Sequence, residues 1–185
     1  KFADLLMRPK PITENELQEF LTDKYPHVLT VTSAVPGLGK SEEIQKLALQ
    51  NDKGKITLHI SGIFDRENIV EELINLDIKS FHVLHIDIGP INEPFALDAF
   101  LFELIVLKHV SVRKFAFHLQ TDFICIEIAN SVNQELSNSL PTVTCFKRKN
   151  IVWDNYNNMH VSQEVNSPVQ VVCHYLILQD SGKLP

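Results

Sequence analysis

The hydrophobic positions alternate between two spacings along most of the chain. Thr13-Glu14-Asn15-Glu16, with Pro11 upstream, has the form of a capping box, and Leu17, Phe20 and Leu21 follow as a short apolar stripe. That spacing predicts a helix over residues 14–23, closed by Pro26. Val28, Leu29 and Val31 then begin a strand rich in β-branched residues. A helix is predicted from Ser41 to Gln50 with Ile44, Leu47 and Ala48 inward, and a strand from Ile56 to Ile60 between Gly54 and Gly62. Asn68 to Leu76 reads as an amphipathic helix through Ile69, Leu73 and Leu76. Phe81 to Ile88 reads as a third strand, almost wholly apolar apart from its histidines and Asp87.

Asn92 and Pro94 are placed to cap and open a long helix that runs from Phe95 to Val110. Phe115 to Leu119 fits either a strand or a helix end. Phe123 to Ala129 is a strand, Asn133 to Ser139 a short helix, and Val143-Thr144-Cys145-Phe146 a fifth strand after Pro141. Asn155 to Asn158 reads as loop, and Pro168 to Gln179 as one last helix. Strands that alternate with helices require crossover connections. The expected fold is therefore α/β: a three-layer sandwich around a mostly parallel five-stranded sheet.

Composition narrows the picture. A hydrophobic fraction of 44% and a charged fraction of 22% are those of an ordinary globular protein. The formal charge of −6 argues against a broad nucleic-acid surface but not against one local anion site. Cys125, Cys145 and Cys173 are widely spaced and lack a C-x-x-C pairing. Free buried thiols in a reducing, cytoplasmic setting are expected, rather than disulfides or a zinc site. Asp98, Glu103, Lys108 and His109 interrupt the apolar run, which is too short for a transmembrane segment. The sequence opens on Lys1 without a signal-peptide pattern, as expected of a processed or excised piece of something larger.

The candidate chemistry is concentrated between the first strand and the second helix. Gly37, Leu38, Gly39, Lys40 and Ser41, preceded by Pro36, spell Gly-x-Gly-Lys-Ser in the strand–loop–helix context that gives a phosphate-binding loop its meaning. Glycines let backbone N–H groups curl around phosphate oxygens, and the helix N-terminus adds partial positive charge. Lys40 would meet the β- and γ-phosphates, and Ser41 would place its hydroxyl on Mg²⁺. The expected ligand is ATP with Mg²⁺. One position departs from the full pattern, with Ala34 where a first glycine would stand. The alternative reading is a Gly-rich turn that caps a helix and holds nothing.

A hydrophobic strand that ends in an acid is the usual companion, and Val83-Leu84-His85-Ile86-Asp87 supplies one, with Asp87 as a second metal-site residue. The alternative reading of Asp87 is an ordinary strand-end acid that caps a turn before Gly89. Hydrolysing relatives of this class usually carry glutamate next, to polarise water, but Ile88 stands there. Asn130, at the end of another strand, reads either as a group that reaches the γ-phosphate or water, hence a catalytic candidate, or as a turn residue. His82 and His85 read as packed strand residues rather than ligands. Lys147-Arg148-Lys149 reads as a solvated strand end, with Arg148 as a candidate for addressing a neighbouring subunit's nucleotide. A GTPase is disfavoured because no N-K-x-D motif is present.

In this order, phosphate loop, acid-ended strand and Asn-ended strand resemble the nucleotide-binding half of an AAA+ ATPase. Several stretches are more narrowly similar to a unit of the mysterin family of giant AAA+ RING-finger E3 ubiquitin ligases. They are Pro36 to Ser41, Asn92 to Leu107, Ile126-Glu127-Ile128-Ala129-Asn130, and Ser167 to Leu176. The resemblance implies a place among neighbouring AAA+ units of one large chain. It casts Lys40 and Ser41 as the first ATP-binding motif, Asp87 as the metal-site acid and Asn130 as a sensor. It also implies ligase activity for the parent protein, although no RING ligands lie within these residues. The expected division is a lead-in over 1–26, a P-loop core over 27–150, and a segment over 151–185 that begins a lid.

Overall fold

A computed structural model describes residues 14–33, 37–128 and 140–151. Pro36, Asn130, Ala34, the expected helices over 133–139 and 168–179, and the segment 152–185 lie outside the described residues.

The chain begins with helix α1 (Glu14–Lys24), strand β1 (Val28–Ser33), helix α2 (Lys40–Gln50) and strand β2 (Gly54–Gly62). Helix α3 (Arg66–Asn75), strand β3 (His82–Ile91) and helix α4 (Pro94–Phe102) follow. A π-helical turn (Glu103–Leu107) then leads into β4 (His109–Ser111), β5 (Ala116–His118), β6 (Ile124–Ile128), a one-turn helix α5 (Pro141–Thr144) and β7 (Lys147–Ile151). The five long strands form one sheet in the order β2-β3-β6-β1-β7, and every pairing in it is parallel. β4 and β5 pair antiparallel as a separate ribbon. The fold is thus α/β with a five-stranded parallel sheet, as the alternation of elements predicts.

Strand alternation sorts the core into two clusters. Leu84, Ile86 and Ile88 of β3 and Ile124, Ile126 and Ile128 of β6 point to one face, where Val70 and Leu73 of α3 and Leu97, Phe100 and Leu101 of α4 cover them. The intervening residues face the other way. There Val31, Val83 and Cys125 meet Ile44 and Ala48 of α2. Helices on both faces make three layers, and near-continuous apolar strands are what a sheet buried on both sides requires. Cys125 and Cys145 are buried, and burial pushes the Cys125 thiol up to about 11.

Four local readings change. Helix α3 starts at Arg66 rather than Asn68, because the Asp65 carboxylate accepts the Asn68 N–H at 3.1 Å and caps the helix there. Glu93, not Asn92, is the residue before α4, with Pro94 in the first turn. Asn92 donates its backbone N–H to the Gly62 carbonyl at 2.9 Å and so extends the sheet edge instead. The long helix stops early: α-helical bonding ends at Phe102, the π turn follows, and Lys108 in a left-handed conformation (φ 59°) ends it. Arg66 fixes that end by donating to the Glu103 carboxylate at 3.1 and 2.5 Å and to the Ser111 carbonyl.

The fifth strand is Lys147–Ile151, not Val143 to Phe146. Val143, Cys145 and Phe146 are apolar because they pack into the core. Thr142 donates from its backbone and hydroxyl to Asp98, and the Thr30 hydroxyl donates to the Val143 carbonyl at 2.9 Å. The basic cluster is therefore the sheet edge itself, where exposed lysine and arginine discourage pairing with another chain. On the other side of the sheet β3, next to the edge strand β2, runs on through Gly89 and Pro90, and its register against β2 shifts between Ile60 and Gly62. Glycine eases the close approach there, since a Cβ at position 89 would sit 3.0 Å from Ser61 Cβ.

Candidate functional site

The described part of the loop after β1 runs from Gly37 to Gly39. Gly37 (φ 82°) and Gly39 (φ 79°) both lie in the left-handed region that other residues adopt only with strain. Gly39 is the residue before α2, so Lys40 is the first residue of that helix. Leu38 is buried among Val31, Ile44 and Ala48, which pins the loop to the sheet. Glu42 and Glu43 in the first turn favour the positive end of the helix dipole. Lys149 of β7 ion-pairs with Glu43 and ties the edge strand to the same end of α2.

Lys40 turns inward. Its side chain is only 5% exposed, and Nζ donates to Ser33 Oγ at 3.2 Å, at the end of β1. It also lies 3.6 Å from Glu127 Oε1 on β6. Ser41 Oγ donates to Glu127 Oε2 at 2.7 Å, and His85 Nε2 lies 3.0 Å from the same oxygen. The Thr57 hydroxyl lies 3.3 Å from His85 Nδ1. If that hydroxyl donates to Nδ1, the ring proton sits on Nε2 and points at Glu127, so the chain Thr57–His85–Glu127–Ser41 is continuous. Burial alone would raise the Glu127 pKa. Bonds from His85 and Ser41, with the Lys40 charge, outweigh that and hold it below the ordinary glutamate value of 4.5.

Asp87 sits directly beside Glu127 in the parallel register, on the same face of the sheet. Its carboxylate Oδ2 lies 3.0 Å from His59 Nδ1 on β2, and its side chain is 34% exposed against 11% for Glu127. In this structure Ser41 is therefore bonded to Glu127, and Asp87 to His59 one strand further out. Arg148 pairs in register with Thr30, whose hydroxyl reaches the Val143 carbonyl on the face away from α2. The register therefore puts Arg148 on the opposite face from Lys40.

Glu127 and His85 are the two polar residues that sequence reasoning passes over as site groups. The available signal is that each interrupts an apolar strand at a buried position, Ile124-Cys125-Ile126-Glu127-Ile128 and Val83-Leu84-His85-Ile86. A buried ionisable residue needs partners, and these two partner each other. Among the described residues no group of three or more His, Cys, Asp or Glu is arranged to hold a metal ion. Mg²⁺ does not require one, since it usually rests on one or two protein oxygens with waters and phosphates. A serine hydroxyl beside a carboxylate, next to a buried lysine, fits that donor chemistry.

No protein-family model and no curated protein matches this chain. Among solved structures it is similar to the Aeropyrum pernix ORC2 protein in its ADP form, at 8% sequence identity and a TM-score of 0.34. That likeness covers 78% of this chain and 50% of the other, so the chain spans about half the length of that protein. So loose a superposition carries no argument about function. Among the described residues no helix is long and apolar enough to cross a membrane.

Proposed function

We propose that this chain is an AAA+ module that binds ATP with Mg²⁺ at the Gly37–Ser41 loop and turns it over weakly or not at all. The observation that carries the reading is the joint placement of Lys40 and Ser41. Both stand on the first turn of α2, behind two left-handed glycines, and both side chains converge on one point at the sheet. A lysine ammonium at a helix N-terminus supplies the positive charge and N–H donors that an anion needs, and Glu127 offsets that charge until a cation joins the site. In this reading Lys40 receives the β- and γ-phosphates, Ser41 and Asp87 serve the cation, and Asn130 reaches the γ-phosphate. The backbone N–H groups of Gly37, Leu38 and Gly39, which follow Pro36 in the sequence, wrap the phosphates. Mg²⁺, when bound, neutralises phosphate charge.

Ile88 supports weak turnover. It is fully buried on the face away from α2 and offers no group to polarise water. The narrower reading, a unit within a mysterin-like ubiquitin ligase, rests on the similarity of the four stretches quoted above. It places the chain among neighbouring AAA+ units and assigns ligase activity to the parent protein.

A second reading has its own observation. Glu127 already satisfies Lys40 and Ser41, and among the described residues no buried side-chain polar atom lacks a partner. Such a site also suits a scaffold that kept the fold and lost the ligand. Calorimetry and thermal unfolding with ATP, ADP and Mg²⁺ separate the two. Ligand at about 100 times its Kd stabilises the fold by about 2.7 kcal/mol, a rise of about 5–10 °C in Tm for a chain of this size. That shift is expected for the parent chain and absent in Lys40→Ala. No heat and no shift in the parent chain would establish the scaffold, and an undiminished shift in Lys40→Ala would move the ligand elsewhere.

A further inference from the structure

We infer that Glu127 sets the preference of this loop for metal-bound over metal-free nucleotide. The inference rests on the nucleotide-binding reading above and assigns a specificity role within that site.

Lys40 contributes one positive charge, and Glu127 lies 3.6 Å from it in a setting that is largely closed to solvent. Among the described residues the other group at Lys40 Nζ, Ser33 Oγ, is neutral. An arriving polyphosphate therefore meets an internally compensated pair rather than a bare ammonium. With the water mostly excluded, the carboxylate repels phosphate oxygens more strongly than it would at the surface. A divalent cation seated at Ser41 reverses the sign of that contribution. Glu127 Oε2 already sits 2.7 Å from Ser41 Oγ, so the same carboxylate that opposes metal-free ATP favours the metal-bound form.

Glu127 cannot readily turn away to relieve the repulsion. His85 Nε2 holds Oε2 at 3.0 Å, and Thr57 addresses the other ring nitrogen of that histidine. The neighbouring acid Asp87 is more exposed and is engaged with His59, so water screens it better. Of the two in-register carboxylates, Glu127 is the one coupled to both Lys40 and Ser41. His85 acts through Glu127 and is a positioning residue.

The test is calorimetric titration of the whole 185-residue chain with ATP, once in excess Mg²⁺ and once in EDTA, for the parent and Glu127→Gln. The ratio of the two Kd values is the readout, because a general loosening of the loop weakens both arms alike and leaves the ratio unmoved. The parent is expected to prefer the metal-bound form by at least about tenfold. In Glu127→Gln metal-free ATP binds tighter and the ratio falls by about tenfold, the change expected when one nearby buried charge is removed. His85→Gln keeps the carboxylate charge and releases its anchor, so a smaller fall in the same direction is expected. A ratio unchanged within about twofold in Glu127→Gln overturns the inference. If that variant does not fold, a parent chain that binds both forms equally overturns it, as does an unmoved ratio in His85→Gln. Lys40→Ala weakens both arms together. A parent chain that binds ATP in neither arm removes the nucleotide reading itself, an outcome distinct from binding without discrimination.

Discussion

Glu127 and Asp87 stand side by side on adjacent parallel strands, in register, on the same face of one sheet, and yet they are different kinds of acid. Glu127 is nearly enclosed, faces the first turn of α2, and has Ser41, His85 and Lys40 within reach. Asp87 has His59, itself 70% exposed, and water. One strand spacing, about 4.8 Å, separates an acid that holds a helix terminus to the sheet from one that decorates the sheet's rim. Position in the strand order does not by itself assign a role. What lies above the strand does, and α2 covers β6 at the height of Glu127.

The largest way to break the comparison is to remove each carboxylate in turn. Glu127→Ala leaves Lys40 buried with only the neutral Ser33 among its described partners and deprives Ser41 and His85 of their shared acceptor. Breaking one side of a buried charge pair costs about 3–5 kcal/mol, and the residual exposure here puts the expected loss near about 3 kcal/mol. Asp87→Ala removes an exposed pair and is expected to cost less than about 0.5 kcal/mol. Urea unfolding of both variants at neutral pH measures the two losses. Equal losses would show that burial does not distinguish the two acids.

Acid sharpens the same contrast. The folded Glu127 titrates below its ordinary value of 4.5, so the native state binds fewer protons than the unfolded chain as pH falls through that range. Its contribution is complete above 4.5 and is lost as pH drops through the lower folded value. The parent chain is therefore expected to lose stability more steeply than Glu127→Gln on acidification below about pH 4.5, as read from urea midpoints. Parallel curves for the two proteins would mean that the Glu127 network contributes nothing to the acid limb.

The same two strands show what a sequence can and cannot disclose. The glycine, lysine and serine of the loop are legible because each residue type answers a local demand, a left-handed turn, a cation and a hydroxyl at a helix start. The parallel α/β fold is legible because near-continuous apolar strands alternate with amphipathic helices. Val143, Cys145 and Phe146 mislead because burial under a short helix and burial in a strand demand the same apolar residues. The edge strand Lys147–Ile151 escapes because exposed edges are selected for charge rather than for alternation. The helix end at Phe102 escapes because an apolar run does not reveal where hydrogen bonding shifts to a π turn. Glu127 escapes because its significance lies in partners that are 86 and 42 positions away, Ser41 and His85. A motif search looks for an acid that closes an apolar run in the third strand and finds Asp87, and only the register shows a second acid beside it.

The smallest expected effect concerns the outer pair. His59 and Asp87 meet at 3.0 Å across β2 and β3, and both side chains reach solvent. An exposed pair of this kind gains little, since water competes for both groups and salt screens what remains. Asp87→Asn and His59→Gln are each expected to change stability by less than about 0.5 kcal/mol, with a coupling in the double-mutant cycle of no more than about 0.5 kcal/mol. The same cycle on Ser41→Ala and Glu127→Gln serves as the internal standard and is expected to show about 1–2 kcal/mol, because the bond is charge-assisted and shielded. If the outer pair couples as strongly as the inner one, then β2 is tied to β3 at the rim as firmly as α2 is tied to β6. Asp87 would then be held too tightly by His59 to turn toward a cation at Ser41. A weak outer coupling leaves Asp87 available for that role, at the cost of only one exposed hydrogen bond.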